Sequence, residues 1–142
     1  MKRFLFGLCL FFFVAASWEV GAWDKIDYQR LMATKKCVKC DLTEAYLSGA
    51  DLVFTNLSGA NLSGAYLSEA NLFYINLSGA NLTWADLTEA NLSGASLVST
   101  YLSWASLVST NLSGADLAGA NLTETKFCQT KMPNGTMDNS GC

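Results

Sequence analysis

The chain has 142 residues, enough for one domain, with 51% hydrophobic and 15% charged residues and a formal net charge of −3. It contains no histidine and a single proline. The missing histidine removes the commonest general base and the commonest metal ligand, so the composition argues against an enzyme and calls for no metal or other cofactor.

The first element is a leader. Lys2 and Arg3 make a basic start, Phe4 to Ala16 form an apolar run, and Val20-Gly21-Ala22 offers small residues before a cut at Trp23. This is the layout of a secretory signal peptide over residues 1–22, with a cut after Ser17 as the alternative. The apolar run is short of the roughly 20 residues a membrane span needs. Export is therefore expected, to a periplasm or the medium, with no stable span after cleavage. Losing Lys2, Arg3 and Glu19 takes the net charge from −3 to −4 and leaves four cysteines, Cys37, Cys40, Cys128 and Cys142. An even number in an exported chain favours disulfides.

Residues 23–39 read as a short helix with Asp24 as its N-cap, and Trp23, Ile26, Leu31 and Met32 are expected to lie over the start of the segment beyond it. These residues, 23–39, carry five basic and two acidic side chains.

From residue 40 to 128 one pattern recurs every five residues. Central positions i run from 42 to 127: seventeen Leu and, last, Phe127. Position i−2 holds twelve Ala, four Thr, Ile75 and Cys40; i−1 is mostly Asn or Asp; i+1 is mostly Ser or Thr; i+2 is often Gly or Glu. A period of five fits neither a helix nor a half-buried strand. The unit is too small to bury its own apolar face, so it must stack on its neighbours.

The repeated A(N/D)LSG resembles the pentapeptide-repeat family, and the resemblance covers residues 40–128. It implies an all-β solenoid, a right-handed quadrilateral parallel β-helix, with each pentapeptide one side of a square and twenty residues per coil. Leu then fills the centre, small i−2 residues lie against the wall, and Gly at i+2 eases the corner. Eighteen repeats make about four and a half coils, a rod roughly 22 Å long at the spacing of neighbouring strands. The flanks, Thr34-Lys35-Lys36-Cys37-Val38-Lys39-Cys40-Asp41-Leu42 and Met132-Pro133-Asn134-Gly135 with Gly141-Cys142, are similar to those of exported bacterial members, with Asn134 where Asp is usual.

Residues 129–142 contain Pro133-Asn134-Gly135, a turn signal, and are expected to fold as a hairpin cap on the last coil. A rod keeps the two ends apart, and disulfides need Cα atoms within about 7 Å. Of three connectivities only Cys37–Cys40 with Cys128–Cys142 fits.

Stacking residues twenty apart exposes outward columns. Tyr46, Tyr66, Trp84 and Trp104 should line one edge of the rod, with Tyr101 near its upper part; Phe54, Phe73 and Tyr74 should cluster on the diagonal edge. Aromatic neighbours stabilise adjacent strands, and exposed Trp and Tyr are also the residues enriched at interfaces. The Asn71, Asn91 and Asn111 column is expected to bond along the stack. Repeats 40–127 hold eight acidic residues and Lys126 alone among cations. Quinolone-resistance members use an acidic rod to mimic DNA and bind gyrase, but this chain has no loop between coils and reads as exported. The function expected is a non-catalytic exported scaffold or protein-interaction module. The alternative is a glycan- or ligand-binding module using the aromatic edge. Its partner is a protein or a glycan rather than nucleic acid, and the sequence is compatible with a monomer.

Overall fold

A computed structural model describes residues 22–142; the expected leader, apart from Ala22, lies outside the described residues. The chain winds as a four-sided solenoid. Parallel bridges join residues twenty apart, from Lys36↔Asn56 through Tyr46↔Tyr66 and Asn91↔Asn111 to Asn111↔Lys131. Each pentapeptide is one side. The N–H of the next i−2 residue bonds to the carbonyl of i, as Ala45 N to Leu42 O at 3.0 Å, and closes the corner turn. The i+2 residues of these turns take positive φ, from 51° at Tyr74 to 68° at Gly114. That turn explains the frequent glycine. Between coils, the N–H of i and of i+2 donate to the coil above, as Leu42 N to Asn61 O at 2.8 Å and Glu44 N to Ser63 O at 2.8 Å.

We number the sides in chain order. Side 1 centres on Leu42, Leu62, Leu82, Leu102 and Leu122; side 2 on Leu47, Leu67, Leu87, Leu107 and Phe127. Side 3 centres on Leu52, Leu72, Leu92, Leu112 and Met132; side 4 on Cys37, Leu57, Leu77, Leu97 and Leu117. Every central residue from Leu42 to Leu112 is at most 1% exposed. The inward Ala residues flank them in one continuous core. The register extends past the expected limits of 40 and 128. Cys37, buried, occupies the central position before Leu42, and Met132 the one after Phe127. Neither is Leu, so the period-five pattern missed them.

Helix α1, Lys25–Thr34, starts at N-cap Asp24, whose carboxylate accepts from Ile26 N at 2.8 Å and Asp27 N at 3.0 Å. It lies on the first coil and stands in for a missing coil beneath Asp41. Asp24 N donates to Asp41 O at 3.0 Å, and Asp41 N donates to the Asp27 carboxylate at 2.9 Å. Leu31 is fully buried and Trp23 and Tyr28 pack beside it. Ile26 and Met32, expected inward, are 67% and 45% exposed. At about 100° per residue Ile26 lies on the far side of the helix from Leu31, and Tyr28 takes the inward place.

At the other end β1, Thr130–Lys131, pairs antiparallel with β2, Met137–Asp138. β1 is itself the next length of side 3, bridged to Asn111. The hairpin therefore continues the wall instead of lying flat across the end. Its return leg runs along side 2, where Asn139 Oδ1 accepts from Gln129 N at 2.9 Å and Gly141 N reaches Phe127 O at 2.6 Å. Leu117, Leu122 and Phe127 remain only partly buried. Cys37–Cys40 and Cys128–Cys142 are each paired, with Cα atoms 5.3 and 4.8 Å apart. Among the described residues no helix is long and apolar enough to cross a membrane.

Candidate functional site

The corner between sides 1 and 2 departs most from the repeat. Going up the rod, the i+2 column of side 1 reads Glu44, Gly64, Trp84, Trp104, Glu124. The i−1 column of side 2 reads Tyr46, Tyr66, Asp86, Ser106, Lys126, joined by successive bridges. The turn geometry points these side chains outward, and Trp84 is 63% exposed.

Each departure has a local cost. Trp84 and Trp104 sit at φ 63° and 61°, where a side chain with a Cβ is disfavoured by roughly 1–2 kcal/mol. Tyr46, Tyr66 and Tyr101 occupy i−1, where Asn or Asp elsewhere accepts from the N–H two residues on. Examples are Asn76 Oδ1 from Ser78 N at 3.0 Å and Asp86 Oδ1 from Thr88 N at 3.0 Å. A tyrosine ring has no acceptor there.

The rings compensate in pairs. Tyr46 stacks on Tyr66 with centroids 4.9 Å apart and planes 3° apart; Trp84 stacks on Trp104 at 5.0 Å and 9°. Among the described residues no ring contact joins the two pairs, and Tyr101 is exposed without a ring partner. The edge is thus two short stacks whose ring faces turn onto one another, not a flat strip of faces side by side. On the diagonal corner Phe54 stacks on Tyr74 at 5.7 Å, and Phe73 meets Tyr74 edge-on at 4.5 Å. The Tyr74 ring lies over Gly94 in the next coil.

Asn91 Nδ2 donates to Asn71 Oδ1 at 3.4 Å, while Asn111 Oδ1 instead accepts from Ser113 N and Oγ. Asn81 and Asn61 form a second rung, at 3.3 Å, on the column that Tyr101 interrupts above them. Asp27, Cys37 and Cys40 lie close together, but both sulfurs are in the disulfide and offer no thiolate for a metal. Sequence periodicity placed the outward columns but not the pairing of the rings, which depends on side-chain rotamers.

Pentapeptide repeats, in eight copies, match over residues 36–72, 65–103, 75–114 and 95–134. No relative among curated proteins matches. Among the solved structures similar to this chain are three pentapeptide-repeat proteins. HetL, a pentapeptide-repeat protein involved in heterocyst differentiation regulation from Nostoc sp. strain PCC 7120, is 34% identical over 72% of this chain, with a TM-score of 0.38. The match spans 62% of HetL. The pentapeptide-repeat protein alr5209 from Nostoc is 28% identical, over 80% of this chain and 84% of its own, at 0.47. AT2G44920, from the Arabidopsis thaliana thylakoid lumen, is 26% identical over 68% of each chain, at 0.38.

Proposed function

This chain belongs to the pentapeptide-repeat family, and we propose that it is a non-catalytic, exported rod that binds other proteins through its outer surface. Residues 1–22 are the leader in this reading, residues 23–39 and the tail from 129 close the two ends, and the repeats between them are the working surface. The basic start, apolar run and small residues before Trp23 support export, as do four cysteines arranged as two pairs.

The observation that carries the binding role is the pair of stacked tryptophans. Trp84 and Trp104 stand at corner positions of positive φ, remain 63% and 50% exposed, and stack on each other. Large exposed aromatic clusters mark contact surfaces, and Trp is over-represented where proteins meet. A glycan strip is less well served, because a sugar chain needs a row of open ring faces and these rings form two separate stacks, each covering one face of each of its rings.

The mature chain, immobilised and exposed to periplasmic extract and culture fluid, should retain a discrete protein partner in stoichiometric amount. Retention of nothing, or turnover of a small molecule by the purified chain, contradicts the reading.

A further inference from the structure

We propose that side 2, with the corner it shares with side 1, docks a cationic segment of a partner protein, an arginine or lysine side chain seating against Trp84. The proposal rests on the protein-binding reading above and adds the surface and the chemistry of the partner.

The charge is unevenly placed. Of the eight acidic residues in repeats 40–128, six border side 2: Glu44, Asp86 and Glu124 on the corner with side 1, and Asp51, Glu69 and Glu89 on the corner with side 3. No Lys or Arg occurs between Cys40 and Thr125. Lys35 reaches the carbonyl of Asp51, and Lys126 tops the column that holds Asp86. The acids in the middle of the rod, Glu69, Asp86 and Glu89, have no cation beside them; among the described residues the one ion pair is Arg30–Asp27, in α1. Glu69 and Glu89 stand in successive coils of one column, at φ 59° and 60°. Like charges so placed oppose folding, and so does a side chain in that backbone region. A bound cation relieves the first of these.

The aromatic rail supplies a seat. Trp104 covers one face of Trp84. Below Trp84 in the same column comes Gly64, with no side chain, and then Glu44, whose Cγ lies 3.2 Å from where a Gly64 Cβ would stand. The second face of Trp84 is the one toward Gly64, which carries no side chain; the Glu44 side chain rises to the level of Gly64, and Tyr66 stands on the same corner. A guanidinium stacks on an indole and donates to carboxylates in one placement, and an ammonium does the same as a point charge. Nucleic acid is repelled by the same carboxylates.

The test titrates the mature chain with a synthetic peptide of alternating Arg and Gly, following the heat of binding by calorimetry, with a Glu-Gly peptide as control. The Arg peptide is expected to bind and to lose affinity between about 50 and 300 mM salt. Two double variants, E69Q/E89Q and W84A/W104A, are each expected to weaken it by about tenfold or more, while Asn76→Ala on side 4 leaves it unchanged. Thermal unfolding checks each variant; E69Q/E89Q removes a like-charge contact and keeps the test decisive if the tryptophan variant folds poorly. Absence of binding, equal binding of the Glu peptide, or wild-type affinity in both double variants overturns the proposal. If the rod captures protein partners and both double variants capture them equally, the surface is wrong and the protein-binding reading stands; if the rod captures none, that reading falls as well.

Discussion

Thr100 Oγ1 donates to the carbonyl of Leu77 at 2.9 Å, twenty-three residues back and one coil down. Thr110, Thr125 and Thr130 make the same bond to Leu87, Leu102 and Leu107. Thr55 is the exception: it is equally buried, and its hydroxyl has no partner. Twenty-three residues before it stands Met32, which is in α1 and not in a coil. Replacing Thr100 by Val should destabilise the chain by about 0.5–1.5 kcal/mol, since it removes one buried hydrogen bond while the Leu77 carbonyl keeps the other, from Ala80 N. Thr55→Val should be neutral or stabilising, because it removes a hydroxyl that bonds to nothing. Chemical denaturation of the two variants checks the contrast; equal losses contradict it.

Gly94 and Gly79 have the same backbone, both at φ +67°, but different neighbours. A Cβ on Gly94 would stand 2.9 Å from the Tyr74 ring, whereas one on Gly79 meets nothing. Gly79→Ala should cost about 1–2 kcal/mol from backbone conformation alone. Gly94→Ala should cost more, and Tyr74→Ala should abolish the difference. A double-mutant cycle on Gly94 and Tyr74 measures this directly.

Cys128–Cys142 closes a fifteen-residue loop at the end of the rod, a constraint of about 3 kcal/mol in the chain-entropy account. Removing it with C128S/C142S should free the return leg first. Hydrogen exchange should rise at Gln129 and Gly141, whose N–H groups bond to Asn139 and Phe127, while amides of the middle coils stay protected. Uniform loss of protection along the rod would contradict the local role.

Asp138 gives that end a pH response. Hydrogen bonds from the Ser140 backbone N–H, and then its side chain, hold the Asp138 carboxyl below the usual carboxylate range. A depressed folded-state pKa contributes stability above the unfolded value and loses it as pH falls through the folded one. The hairpin should therefore be firm at neutral pH and loosen only in acid below that range. Asp138→Asn should flatten the dependence, read from the exchange rate of the Ser140 amide.

Much of the architecture was legible because every side obeys one local rule. Leu at i, small residues at i−2 and an acceptor at i−1 serve the same contacts in each coil, so the period alone located the core and the outward columns. The ends follow no such rule. The facing of α1 depends on docking against one coil, which leaves Ile26 outside and brings Tyr28 in. Cys37 and Met132 continue the register without being Leu, so their central positions were hidden. The aromatic corner was placed correctly by column, yet its division into two stacks required the ring orientations.

All of these columns, and the cation-binding surface built from them, depend on twenty residues per coil. Ser68 Oγ lies 3.0 Å from Ser48 Oγ across adjacent coils of side 2. Cysteine pairs introduced here test the register most directly, by peptide mapping without reduction. S48C/S68C should form a disulfide in high yield and leave Cys37–Cys40 and Cys128–Cys142 intact, while S48C/S63C should not cross-link. Efficient coupling of the second pair with none in the first would mean three sides to a coil, and would contradict the four-sided rod.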